Sequence, residues 1–422
     1  MTAFLVLFLA ILAYYFIIFV QSVEKSVITL LIATSIMALK LVEKMNLENV
    51  GIMVDFNTLG LLLGMMIIVG FLKRSGFFQY SIIKILRFSG GDFKKTLFFL
   101  MVIVALTSAF LDNVITIMMV LPMIFLIADS MEMDPTPLVF LTIFIDNVGG
   151  MSTLIGSPLN LVLGSVSGKS FNEFLTHTGT FSIVAFLIIY FYFSRRIRIS
   201  KEQEEKLSKL VNVDPEKAIT DKKLMKTSLL VFGLVILGFI LHSVFEFELS
   251  FIAMSGALAL MLIFNKNFEK VSEDIDWDTL FFYAGLYMIS FSLEEIGAIK
   301  AIASVLEPLK ESFVLSTLVI TWGSAFVIPF LSAVPGTLIL APVLKHLVSM
   351  GFSQSVWWAY AFGANLGTNF TPLGAVQNII GIAMLEKQTN KRISFLEFMK
   401  VGIPTTIPAI LVGTVWLLVF YK

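Results

Sequence analysis

Long apolar runs alternate with short polar breaks along the whole chain, and their lengths decide which elements they form. A spanning helix needs about 20 mainly apolar residues, and only helices or closed barrels hide their backbone groups in lipid. The runs at 2–20, 26–42, 56–72, 138–164, 179–194, 227–243, 249–264, 278–293, 356–385 and 401–420 are too continuous for alternating barrel strands, so they predict helices. Two more, 96–128 and 313–348, are too long for one crossing. Each is interrupted near its middle, at Asp112-Asn113 and near Ser332-Ala333-Val334-Pro335-Gly336. If these two enter and leave on one side, each half keeps five crossings. The expected fold is an all-α polytopic membrane protein of two inverted repeats, each with five spanning helices, one of them broken, plus a re-entrant hairpin. Hairpins that cross fully would give six crossings per half and no inversion.

The one clearly soluble stretch, 195–226, carries mixed charges and reads as a solvated, partly helical connector without a role of its own. It divides the chain into an N-terminal repeat at 1–200, a linker at 201–221 and a C-terminal repeat at 222–422. With that linker in the cytoplasm, 23 of the 30 Lys and Arg fall inside, as the positive-inside rule requires, and both termini lie outside. The expected location is the cell inner (plasma) membrane. The first segment lacks a basic start and a small-residue cleavage site, so it is expected to remain as the first span.

Composition narrows the chemistry. The chain is 57% apolar and 14% charged, against roughly 25% charged in soluble domains. Thirty basic residues balance thirty acidic ones, so no net field favours nucleic acid. No cysteine is present, which removes disulfides, thiolate metal sites and cysteine nucleophiles. His177, His242 and His346 are too far apart for a zinc motif. No HExxH or GxGD context suggests a membrane-embedded enzyme, and no cofactor is expected beyond Na⁺ or H⁺ as coupling ion.

Self-comparison reveals a duplication. At an offset of 221, VDFNTLGLLLGMMI from Val54 meets IDWDTLFFYAGLYMI from Ile275. At 218, NVGGMSTLIGSPLN (147–160) meets NLGTNFTPLGAVQN (365–378), pairing Asn147/Asn365, Gly149/Gly367, Thr153/Thr371, Gly156/Gly374 and Asn160/Asn378. The matching residues are polar or Gly rather than lipid-facing. This points to a carrier with its site at the midplane between inverted repeats.

A carboxylate near the bilayer centre costs about 2.5–3.5 kcal/mol on insertion scales, so it needs a partner or a job. Asp112 and Asp146 are the two inside otherwise apolar stretches, each followed by Asn; helix capping is the structural alternative. The breaks at 147–160 and 365–378 leave half-helix ends with free N–H and C=O groups, the former suited to anionic or oxygen-rich ligands and the latter to Na⁺. Gly149, Gly156, Gly367 and Gly374 would let the backbone turn and approach a ligand. No Lys or Arg lies between Thr96 and Gly168, and only Lys345 between Glu311 and Lys387. A dianion about 5 Å from one unneutralised Asp would be repelled by roughly 6–7 kcal/mol at an effective dielectric of 20. Cation exchange or export of a neutral oxyacid avoids that penalty.

SAFLDNVITIMMVLP (108–122), NVGGMSTLIGSPLN and GANLGTNFTPLGAVQNIIGIAMLEK (363–387) resemble the ion transporter superfamily, whose members share a citrate-transporter-like domain. The nearest branch holds the arsenite permeases, the P protein and NhaD-type sodium/proton antiporters; the sodium/dicarboxylate symporters are more distant. The resemblance implies a mobile transport domain in which Asp112-Asn113 with Thr116, and Ser332 to Thr337, meet the two breaks. It also implies an elevator motion and a homodimer in a lipid bilayer. Departures are a second tip without a carboxylate, Ser157 where Asp is common, and Asp146 where a neutral residue is usual. Ser332 aligns with Asp112 because each precedes a proline by ten residues; aligning the SAF triplets gives Ile328-Pro329 instead.

The expected site therefore has Asp112, Asp146 and broken-helix carbonyls at Gly149, Gly156, Gly367 and Gly374 for the coupling ion, with Na⁺ at Asp112, Asn113 and Asp146. Substrate would be held by Asn113, Thr116, Asn147, Thr153, Ser157, Asn160, Ser332, Thr337, Asn365, Thr371 and Asn378. The expected activity is secondary transport of an inorganic ion or small anion or oxyacid, arsenite-permease or sodium/proton antiporter type, coupled to H⁺ or Na⁺. Sodium-coupled symport of di- or tricarboxylates or inorganic anions is the alternative.

Overall fold

The structure is a computed structural model that describes residues 2–19, 23–209, 211, 213–266 and 268–421. Val20, at the end of the first expected span, lies outside them, as do residues 210 and 212 of the linker. The protein is all-helical, as expected.

The N-terminal half runs through α1 (Thr2–Phe19), α2 (Lys25–Ala38), the single turn α3 (Val50–Met53), α4 (Phe56–Arg74) and α5 (Phe77–Phe88). It continues with α6 (Phe93–Phe110), α7 (Asn113–Ser130), α8 (Thr136–Met151), α9 (Pro158–Ser167), α10 (Phe171–Phe174) and α11 (Thr180–Ser194). A π-turn at Leu175–Gly179 fuses α10 and α11 into one rod. After α12 (Lys201–Lys209) the same sequence of elements recurs as α13 (Lys222–Phe245), α14 (Leu249–Ile263), α15 (Phe268–Ser272), α16 (Trp277–Glu295) and α17 (Ala298–Leu306). It closes with α18 (Phe313–Leu331), α19 (Ala333–Ser349), α20 (Val356–Gly367), α21 (Val376–Thr389) and α22 (Phe395–Phe420).

Matching local chemistry starts matching helices. Asp55 caps α4 by accepting from the Asn57 and Thr58 N–H groups, and Asp276 caps α16 through Thr279 N–H. Gly76 and Gly297 precede α5 and α17 at φ +82° and +80°, a conformation glycine adopts without a Cβ penalty. Ser170 and Ser394 cap α10 and α22 from Glu173 and Glu397 N–H.

Seven helices among the described residues are long and apolar enough to cross a membrane: α4, α6, α7, the α10–α11 rod, α13, α18 and α22. Shorter apolar helices complete the bundle. Leu230 and Leu234 of α13 are 64% and 58% exposed, an arrangement costly in water and natural in lipid. The interior is interlocked rather than split by halves. Helix α2 packs on α16, and α14 on α4. At Gly285 an added Cβ would stand 2.5 Å from Thr29 Oγ1, and at Gly64 it would stand 2.7 Å from the Ala253 backbone. Only glycine permits these approaches.

The connector does more than span a gap. Leu207 on α12 is fully buried, and Lys206 pairs with Glu132 at the foot of α7 at 2.8 Å. Glu204 accepts from Phe93 N–H at the start of α6. Its later part packs on α5, and Thr220 N–H donates to Ser75 O at the end of α4. The connector is partly helical and mostly exposed, as expected, with Lys206 and Glu204 tied to the α6 and α7 region.

Candidate functional site

The first long interrupted run folds back on itself at Leu111-Asp112, and the second at Ser332 alone. Asp112 is extended and caps α7, accepting from Val114 N–H at 2.8 Å and Ile115 N–H at 3.3 Å. Capping and cavity lining are combined in this one side chain. Ser332 occupies the corresponding point with φ +67° and ψ +147°, a region nearly reserved for glycine. Helices α8 and α20 stop beside these tips. The chain is unwound at 152–157 and in short 3₁₀ turns at 368–375 before α9 and α21 resume.

The unwound segments are held the same way in both halves. Asn160 Nδ2 donates to the Met151 and Thr153 carbonyls, and Asn378 Nδ2 to those of Thr368 and Thr371. Thr153 Oγ1 donates to Ala109 O, and Thr371 Oγ1 to Pro329 O. That equivalence, 220 residues apart, sets Asp112 opposite Ser332 and leaves Ile328 inside α18. Thr153, Asn160, Thr371 and Asn378, expected to hold substrate, therefore hold the loops. Each satisfies carbonyls that a broken helix strands in a low-dielectric interior.

The four glycines also differ from expectation. None has positive φ, so turning is not their task. An added Cβ on Gly149 would lie 2.4 Å from Ala105 O, and on Gly367 the same distance from Ala325 O. Each marks a broken helix pressed against the first arm of a hairpin. Gly156 faces the Ser108, Ala109 and Gly150 carbonyl oxygens, and Gly374 faces Thr368 O. The close partner is hairpin or loop backbone.

Between the halves runs a reciprocal amide contact. Asn147 Nδ2 donates to Asn378 Oδ1 at 3.0 Å, and Asn365 Nδ2 to Asn160 Oδ1 at 2.9 Å. Asn147 gains two more partners, donating to Asn369 Oδ1 at 2.7 Å and accepting from Gln377 Nε2 at 2.6 Å. The sequence reading missed Gln377 and Asn369. The available signal was polarity without a polar mate, since the repeat sets them opposite Leu159 and Met151.

A cavity of about 360 Å³ opens beside this junction. Asp112, Asn147, Ser157, Ser332 and Asn365 all line it, together with Thr368. Thus five expected site residues meet there, from both tips and both breaks. Its mouth lies at the starts of α2 and α16, where Glu24, Asp276 and Asp278 stand against Lys25. Asp278 accepts from Ser26 N–H at 3.2 Å, joining the two helices. Tyr283, fully buried save for a trace, lines the wall with a hydroxyl that has no protein partner.

Other expected residues lie behind the wall. Asn113 accepts from Ser108 Oγ at 2.9 Å, and that hydroxyl also donates to the Asp146 carbonyl at 2.6 Å. Thr116 is buried with an unpartnered hydroxyl. Thr337 is taken up by Ala333 O and Tyr360. Asp146 is fully buried, and neither carboxylate oxygen has a hydrogen-bond partner. No group of three or more His, Asp or Glu placed to hold one metal ion together occurs among the described residues, so a cation here would rely on carbonyl and amide oxygens beside single carboxylates.

A cavity set where two broken helices meet inside an apolar helical bundle is the plan of many membrane carriers. The chain belongs to the citrate transporter family, whose model matches residues 14–363. An uncharacterized transporter of Mycobacterium tuberculosis is 28% identical over 97% of this chain and 96% of its own length. A 46 kDa membrane protein of Mycobacterium leprae is 31% identical, with 87% of each covered. The human P protein is 26% identical over 89% of this chain, which spans 55% of that longer protein. The YdaH transporter of Alcanivorax borkumensis has a similar fold, with TM-score 0.57 and 15% identity over 99% of this chain and 97% of that one. The resemblance read from the motifs agrees with this membership, and the protein is a multi-pass membrane protein of a transporter family.

Proposed function

We propose that the protein is a secondary active transporter that moves an inorganic ion or a small neutral oxyacid, coupled to H⁺ or Na⁺ at Asp112 and Asp146. The observation that carries this reading is the convergence of Asp112, Asn147, Ser157, Ser332 and Asn365 on one cavity. Asp112 presents a carboxylate to that cavity. Asp146, without a partner, is a place where a proton or cation offsets a buried charge. Four carboxylates against one ammonium around the cavity oppose entry of a free polyanion. The family's name favours the second reading, a di- or tricarboxylate symporter, whose cargo would enter with its charge offset by bound Na⁺ or H⁺.

The halves at 1–200 and 222–422 are inverted in this proposal, with the linker cytoplasmic, both termini outside, and the hairpins re-entrant. The cavity then opens inward, and transport proceeds by an elevator motion within a homodimer in the plasma membrane. Because the chain has no cysteine, single introduced cysteines report sidedness without background. Vesicles with an imposed proton or sodium gradient, supplied with Na⁺ or Li⁺, arsenite, or citrate and succinate, test the cargo while internal pH is followed. Alkalinisation on adding Na⁺ alone supports the antiporter, and Na⁺-dependent citrate or succinate uptake supports the second reading. Asp112→Ala should abolish flux with insertion intact; normal flux in that variant removes the coupling role.

A further inference from the structure

Several capping and packing points recur in both halves, so a charged feature seen in one of them stands out. One such feature is a groove of about 800 Å³ between the start of α6 and the end of α11. Lys94, Lys95, Arg195 and Arg198 line it, over a floor that includes Phe98 and Tyr190. Those two rings meet edge to face at 5.2 Å, and Tyr190 OH donates to Lys94 O, tying the two helices beneath the cations. Acidic groups nearby are already engaged: Asp92 pairs with Lys95 at 3.7 Å, and Glu204 caps α6. Lys94, Arg195 and Arg198 have no ion-pair partner among the described residues. The start of α18, which corresponds to that of α6, presents Val314 and Leu315 in place of Lys94 and Lys95.

Both α6 and the α10–α11 rod are apolar enough to span, so the groove sits where their hydrocarbon-facing lengths end. Cations at that level with an aromatic, lipid-side floor match a phosphodiester headgroup whose acyl chains run down the helices. We propose that this groove is a binding site for an anionic glycerophospholipid, held by Lys94, Arg195 and Arg198. The same α6 carries Ser108 and leads to Asp112 at its far end, so the occupied groove anchors the foot of the first hairpin.

The test is native mass spectrometry of the full chain taken from vesicles containing equal mole fractions of phosphatidylglycerol and phosphatidylcholine. Wild type should retain the anionic lipid at least tenfold over the zwitterionic one. Lys94→Gln/Arg195→Gln/Arg198→Gln should lower that ratio to near one, while Arg195→Lys/Arg198→Lys keeps it. Lys300→Gln/Lys310→Gln, exposed and outside the groove, should leave the ratio unchanged. An unaltered ratio in the triple variant, or an equal loss in the Lys300/Lys310 variant, overturns the site. So does displacement of the lipid by millimolar glycerol phosphate or inorganic phosphate, which would assign the groove to a soluble phosphate. Size-exclusion elution of the triple variant at the wild-type position keeps misfolding from imitating the expected loss.

Discussion

Mirrored residues that do unequal work offer a sharp test of the site. Asn147 and Asn365 occupy equivalent places on the two broken helices, yet Asn147 makes three side-chain hydrogen bonds to the other half. Asn365 makes one to the other half and a second to Ala361 O within its own helix. Leucine, with the same number and branching of side-chain heavy atoms as asparagine, removes these bonds without opening a void. Interhelical bonds in membranes contribute about 0.6 kcal/mol on average and up to about 1.7, and stranded buried partners raise the cost of losing them. Asn147→Leu leaves Asn369 Oδ1, Asn378 Oδ1 and Gln377 Nε2 without this mate, a loss of about 2–3 kcal/mol. Asn365→Leu strands chiefly Asn160 Oδ1, at about 1 kcal/mol. The difference is roughly 5–30-fold in the unfolding constant. Titration of micelle-held protein with SDS, followed by tryptophan fluorescence from buried Trp357 and Trp358, measures it. If Asn365→Leu proves as damaging as Asn147→Leu, the asymmetric network does not carry the junction.

Three further outcomes use the same titration. Gly149→Ala and Gly367→Ala should each destabilise by about 1–3 kcal/mol, because the added methyl meets hairpin backbone that cannot rotate aside. Gly323→Ala, with open space around it, should be neutral or stabilising; equal effects would discount the close packing. Ser332→Gly should stabilise by about 1 kcal/mol or more by relieving a conformation unfavourable for serine, and an unchanged midpoint would deny that strain. Ser170→Ala, which breaks a reciprocal cap with Glu173, should cost about 1 kcal/mol, whereas Asn172→Ala two positions on leaves that cap intact; equal midpoints for Ser170→Ala and wild type would count against it.

Helix content, the interruptions and the duplication are written in local pattern. Apolar run length marks the helices, Pro and Gly beside Asn mark the breaks, and Asp55, Asp276, Ser170 and Ser394 mark helix starts at regular offsets. The division of labour among polar residues is not local. Asn160 and Asn147 look alike in sequence, but the amide nitrogen of one staples its own loop while that of the other reaches residues more than 220 positions away. Likewise Gly149 reads as a hinge until Ala105 is seen against it. The cavity's acidic mouth escaped notice because Asp278 meets Ser26 only through the packing of α16 on α2.

That crossed packing also bears on how the chain is made. Helix α2 leaves the ribosome long before its seat exists, since Ser26 and Asp278 are 252 residues apart. Until α16 arrives, the nascent N-terminal half holds Thr29 and its neighbours against lipid or an insertase rather than against Gly285. The duplicated units thus mature jointly, and a gene split at the connector would need both products synthesised in the same cell before either escaped proteolysis.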